Sequence, residues 1–216
     1  MIVVKDSFRI LYNPPLDSAM FIVGLPGLAD AGRTAARLLI DFVNARLFAE
    51  YYSSRFPDNV VIEDNGVSRL PRYEFYESCS CQPNIVVLIG DATIAEEEPK
   101  AHYEVFNQIV NFAFKLKSRC IVVLDGIRPI AEEKDEVYGA ATKRGLAHKL
   151  ESGGAKLVKK NQLPGYSGMI LGLSSLHSID GLGIFAATAA VMPDKNAALN
   201  IFKFLVKTLD VKQVKV

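Results

Sequence analysis

Apolar and polar positions fall in blocks along this chain, and the blocks read alternately as strands and helices. Met20, Phe21, Ile22 and Val23 form an unbroken apolar run, the pattern of a strand covered on both faces. A loop rich in glycine follows, Gly24-Leu25-Pro26-Gly27-Leu28-Ala29-Asp30. Ala35, Leu38, Leu39, Phe42 and Val43 then recur at helical spacing and predict one apolar stripe. Asp30 stands where an N-cap accepts from the free N–H groups of the first helical turn. The strand pattern repeats from Ile85 to Ile89 and from Cys120 to Leu124, closed by Gly90-Asp91 and by Asp125-Gly126. Before it come short β-branched or aromatic runs, Leu47 to Tyr52, Val60 to Ile62, Val67 to Leu70 and Arg72 to Tyr76. Turn residues separate them, which predicts an antiparallel excursion.

The remaining blocks continue the alternation. Ile2 to Val4 and Phe8 to Tyr12 are short apolar runs stopped by Asn13-Pro14-Pro15. Thr93-Ile94-Ala95-Glu96 has the spacing of a capping box, and the helix it opens carries Tyr103, Phe106, Ile109, Val110, Ala113 and Phe114 on one side. A helix is predicted from Tyr138 to Leu150, ending at Gly153-Gly154. Lys156 to Val158 reads as a strand, Gly168 to Leu176 as a small-residue helix, and Gly183 to Ala187 as a strand. Asp194 caps a last helix that turns Ala197, Ala198, Ile201, Phe202, Leu205 and Leu209 inward. Strands alternating with helices predict a three-layer α/β fold, a mainly parallel sheet with helices on both faces. No linker or repeat divides residues 1–216, so a single domain is expected.

Composition narrows the function classes. A formal net charge of +1 gives no electrostatic case for nucleic acid or an anionic membrane, and no apolar run reaches membrane-spanning length. The amino terminus shows no secretory pattern, and three cysteines cannot all pair. Together these place the chain in a reducing, cytoplasmic setting.

Gly27-Leu28-Ala29-Asp30-Ala31-Gly32-Arg33-Thr34 has the spacing of a phosphate-binding loop between strand and helix, but Arg33 stands in the lysine position. A planar guanidinium does not replace a compact ammonium between phosphates. Asp30, inside the loop, would compete with an anion for the same N–H groups. The simpler reading is a turn whose glycines permit close packing. The other is a small-anion or nucleotide site formed by Gly27, Asp30, Gly32, Arg33 and Thr34, with Asp125 as a magnesium-binding carboxylate, in an enzyme of phosphorylase or hydrolase type. His102, His148 and His177 are scattered, and Cys79, Cys81 and Cys120 lack a second metal-binding pair. Ser174-Ser175 near His177 has no nucleophile-elbow pattern around it. No catalytic set, metal site or cofactor is predicted. The segment from Met169 to Ala190 carries little charge. Part of it is expected to form core, and part an apolar face covered by a like subunit in a homo-oligomer.

The motifs, taken in order, resemble the proteasome assembly chaperone 2 family. GLPGLADAG with its alanine-rich helix is similar to that family's opening strand, loop and helix. Val61-Ile62-Glu63-Asp64-Asn65-Gly66 with Arg69-Leu70-Pro71, then Ile85 to Asp91, resemble the segments that follow. Tyr138-Gly139-Ala140-Ala141-Thr142 resembles the start of the next helix, and Asp194 with Ala197-Ala198 the last one. The resemblance implies a nucleoside-phosphorylase-like sheet without the catalytic residues. It also implies oligomerisation, and proteasome α-subunits or assembly intermediates as partners. Members that dock into the α-ring carry a hydrophobic-Tyr-any tail; here Val214-Lys215-Val216 puts lysine in the tyrosine place. Lysine supplies neither ring nor phenol.

Overall fold

The computed structural model describes residues 6–94, 99–129, 136–159 and 162–213. β1 (Ser7–Ile10) leads to β2 (Met20–Gly24), a 3-10 turn at Leu28–Asp30 and α1 (Ala31–Phe42). β3 (Arg46–Tyr52), β4 (Val61–Ile62), β5 (Ser68–Arg69) and β6 (Tyr73–Ser78) follow, then β7 (Cys81–Gln82) and β8 (Ile85–Gly90). α2 (Pro99–Lys115), β9 (Cys120–Ile127), β10 (Val137–Ala141) and α3 (Arg144–Ser152) come next. The chain closes through β11 (Lys156–Leu157), α4 (Gly165–Leu176), β12 (Asp180–Ala187), α5 (Lys195–Thr208) and β13 (Lys212–Gln213).

Among the described residues, nine strands share one sheet in the order β1-β3-β6-β8-β2-β9-β12-β10-β11. Its centre, β8-β2-β9-β12, is parallel. β6, β3 and β1 extend it antiparallel on one side, and β10 pairs antiparallel with β12 on the other. The unbroken apolar runs have a simple cause. Side chains alternate across a strand, so Phe21, Val23, Ile121 and Val123 meet α2 and α4, while Met20, Ile22, Val122 and Leu124 meet α1 and α5. Both faces are therefore dry.

Several predicted details move. α1 buries Ala31, Ala35, Ala36 and Leu39, whereas Leu38 lies at the surface and Phe42 is half-buried. On α2 the inward stripe is Ala101, Val105, Phe106, Ile109, Val110 and Ala113; Tyr103 and Phe114 face out. The segment predicted as a helix from Tyr138 begins instead as β10, because Val137–Ala141 pairs with Leu182–Ala186 and leaves only Arg144–Ser152 for α3. Gly139 fits there because a side chain would touch Leu150. β9 does not stop at Asp125-Gly126 but continues to Ile127 alongside Ala187 of β12. Asp194 caps α5 as predicted, accepting from the N–H groups of Asn196 and Ala197. Ile2–Val4, Ala95 and Glu96 of the predicted capping box, and Val214-Lys215-Val216 lie outside the described residues.

Candidate functional site

Two glycines bring the corner after β2 hard against the sheet. A Cβ at Gly32 would stand 2.0 Å from the Leu124 carbonyl oxygen, and one at Gly24 would stand 2.5 Å from the Gly32 oxygen. α1 therefore rides directly on β9. To enter that position the chain turns through Ala29 and Asp30, both left-handed with φ of 52°. Non-glycine residues adopt this conformation at a cost of about 1–2 kcal/mol each. Neighbouring hydrogen bonds hold it: Asp30 N–H donates to the Gly27 oxygen at 3.1 Å, and Asp194 N–H to the Ala29 oxygen at 2.9 Å.

The left-handed backbone swings the Asp30 carboxylate away from the helix N–H groups, so it caps nothing. Instead it takes a two-pronged bond from Arg33, Nε to Oδ1 and Nη2 to Oδ2, each 2.8 Å. Thr34 Oγ1 lies 3.5 Å from the same carboxylate, and Arg33 Nη1 reaches the Gly90 carbonyl. The structure thus joins Asp30, Arg33 and Thr34 in one cluster. Gly27 and Gly32 face β9 instead.

Beside this cluster a cleft of about 650 Å³ opens at the carboxyl ends of β2, β9 and β12. The loop Pro26-Gly27-Leu28, the end of β9 from Asp125, and Phe185 form its base, and His102, Phe106, Tyr166 and Ser167 close its sides. Asp125 is buried, and its Oδ1 accepts from Gly126 N–H at 2.8 Å. Burial pushes its carboxyl up to about 6, against the lowering effect of hydrogen bonds from Gly126, Ser167, Leu28 and Tyr166. The signal in the sequence was slight: one carboxylate at the end of an apolar strand.

A second constellation surrounds β4 and β5, which pair as a small hairpin. Arg69 binds Asp91 through both terminal nitrogens and Glu63 through Nε at 2.9 Å. Arg72 contacts Glu50 and Glu74 at 2.8 and 2.7 Å. Burial pushes the Asp91 carboxyl up, but the bonds from Arg69 and from Arg72 N–H outweigh it and hold the group below the usual carboxylate range. Outside this clip, Val60, Ile62, Val67 and Leu70 are each half or more exposed. The sequence showed the hairpin but not its fastening.

The remaining candidates take ordinary places. Ser174 is buried and donates to the Leu171 oxygen, while His177 pairs with Asn107. Cys79 lies against Glu77; burial and that carboxylate push its thiol up to about 12. Among the described residues, no three His, Cys, Asp or Glu side chains converge to hold a metal ion, and no helix is long and apolar enough to cross a membrane.

Comparison with known proteins adds the lineage. Residues 21–216 match the family described as PAC2. The chain belongs to the PAC2 family. The uncharacterized protein MJ1210 of Methanocaldococcus jannaschii is 30% identical to this PAC2 chain over 187 residues, 85% of this chain and 71% of that one. Pyrococcus furiosus PbaA, an archaeal homolog of proteasome-assembly chaperone, is 28% identical with a TM-score of 0.78, over 95% of this chain and 86% of that one. Pyrococcus furiosus PbaB, an archaeal proteasome activator, shares the fold with a TM-score of 0.87 at 24% identity, over 95% of this chain and 89% of PbaB.

Proposed function

We propose that this PAC2 chain is a proteasome assembly chaperone-like protein that works through protein contacts and not by catalysis, on proteasome α-subunits or their assembly intermediates. The observation that carries the reading is its likeness to PbaA in both sequence and fold. The corner after β2 supports it from the other side. Arg33 there is occupied by Asp30, so neither offers an open seat for phosphate. Residues 1–216 act as one unit in this reading. The cytosol is its compartment, where the free thiols of Cys79, Cys81 and Cys120 stay reduced.

Immobilised protein should retain α-subunits or assembly intermediates at micromolar concentration; a clean failure with all of them overturns the reading. Val214, Lys215 and Val216 are a secondary contact here, and their removal should weaken capture less than disruption of the folded surface does. For the enzyme alternative, ATP, GTP and phosphate at 100 times a dissociation constant would stabilise the protein by about 2.7 kcal/mol. We expect no thermal shift with any of them.

Self-association belongs to the same reading, though not through the stretch from Met169 to Ala190. Most of that stretch enters the chain's own core, with β12 buried between β9 and β10 and α4 packed beneath. The apolar hairpin bearing Val60, Ile62, Val67 and Leu70 is the better face for a second copy.

A further inference from the structure

The cleft beside Asp125 has a chemistry that the chaperone reading leaves unused. Its position comes first. After β2 the chain crosses to β3 on one side of the sheet, and after β9 it crosses to β10 on the other. Adjacent parallel strands whose connections part in this way open a crevice beyond their carboxyl ends, where α/β sheets bind ligands. The volume, about 650 Å³, is that of a small-molecule or side-chain pocket.

The lining then selects the ligand. Leu28, Phe106, Ile127 and Phe185 supply apolar walls. The hydroxyl of Tyr166 already donates to the Leu124 oxygen, and that of Ser167 to the Pro164 oxygen. Asp125 is only 8% exposed and lines the same space. Gly27 leaves the room its carboxyl occupies, since a Cβ there would stand 2.3 Å from Oδ1. Among the described residues no Lys, Arg or His forms an ion pair with it. A carboxylate buried without a counter-charge is costly. Of the groups that act on its carboxyl, the N–H groups of Gly126 and Leu28 and the hydroxyls of Ser167 and Tyr166, none carries a positive charge, so the site asks for a charged donor.

We propose that the cleft takes an alkylammonium group, the end of a lysine side chain or of a small primary amine, with Asp125 as counter-ion and the apolar walls around the methylene stem. The ammonium donates a charge-assisted hydrogen bond to the carboxylate. A compact ammonium on a slim stem suits this pocket better than the wide guanidinium fork. The other titratable or charged side chains lining the cleft are Tyr166 of α4, His102 of α2 and Arg128 just beyond β9, while Asp30, which acts on Tyr166, is itself paired with Arg33. The amine keeps its proton over the neutral and mildly acid range, so binding follows the ionisation of Asp125. It is full above pH 7 and about tenfold weaker at pH 5, because the carboxyl titrates at about 6.

The test is an NMR titration of the full chain with butylammonium, and with 1-butanol and butyrate as neutral and anionic counterparts. N-acetyl-lysine methylamide and its side-chain-acetylated form make a second arm. We expect saturable shifts at the cleft with the two amines alone, weakening about tenfold from pH 7 to pH 5. Asp125→Asn, checked for fold by circular dichroism, should reduce the affinity at least tenfold. If that variant does not fold, the pH profile of the native chain decides. Tighter binding of the lysine derivative assigns the group to a protein partner, and tighter binding of butylammonium to a small molecule. No saturable binding of either amine, equal binding of butanol, or binding indifferent to pH overturns the proposal. None of these results touches the capture of α-subunits, which tests the chaperone reading separately.

Discussion

Gly32 sets how closely α1 lies on the sheet. With the Leu124 oxygen 2.0 Å from where its Cβ would be, there is no room for a methyl group against rigid backbone. Gly32→Ala gains about 1 kcal/mol of helix propensity but forces the helix outward, and overpacking costs about 1–3 kcal/mol or more. We expect a net loss of about 1–2 kcal/mol by urea denaturation. Asp125 supplies a pH dependence of definite sign. Its carboxyl titrates at about 6 in the folded chain, above the ordinary carboxylate value, so between the two the folded state holds a proton that the unfolded state has released. That contribution is full at acid pH and is lost as pH rises through about 6. Relative to Asp125→Asn, the native chain should lose roughly 2 kcal/mol of stability between pH 4 and pH 7, since each tenfold difference in proton affinity is worth about 1.4 kcal/mol. Asp91, held low, acts in the opposite direction, and it cancels in the comparison because both proteins carry it.

At the scale of elements, Arg69 fastens the β4–β5 hairpin to the end of β8 through Asp91. Both side chains are mostly buried, so Arg69→Ala leaves a carboxylate without its main partner. The cost should be about 1–3 kcal/mol. Hydrogen exchange confined to about residues 58 to 72 would show the hairpin loosened while β8 stays protected; uniform exchange across the sheet would contradict it. Elements whose pattern is local were legible in the sequence: the apolar runs of β2, β8 and β9, the excursion from β3 to β6, and Asp194 as a cap. What was lost depended on distant partners. Val137–Ala141 looks helical until β12 arrives to pair with it. Asp30 looks like a cap until the left-handed turn redirects it to Arg33. Phe114 and Tyr103 share a helical period with core residues, yet only the rotation of α2 on the sheet decides which of them is covered. The cleft itself was invisible, because Gly27, Asp125 and Tyr166 meet only through the sheet order.

At the scale of the whole molecule, the exposed hairpin and the covered core give the self-association prediction. Val60→Asp with Ile62→Asp, on a surface already half or more exposed, should leave the fold intact and lower the mass seen by light scattering. A native chain that is monomeric at low micromolar concentration contradicts it. The strand order also has a consequence in time. β9 sits between β2, made long before it, and β12, which leaves the ribosome about sixty residues later. At about 5–20 residues per second, a nascent chain holds β9 with one flank unpaired for roughly 3–12 seconds. An open apolar strand is a template for pairing with any other chain. During its own synthesis this protein therefore passes through an interval in which an interior strand of its sheet is exposed to the kind of misassembly that assembly factors prevent.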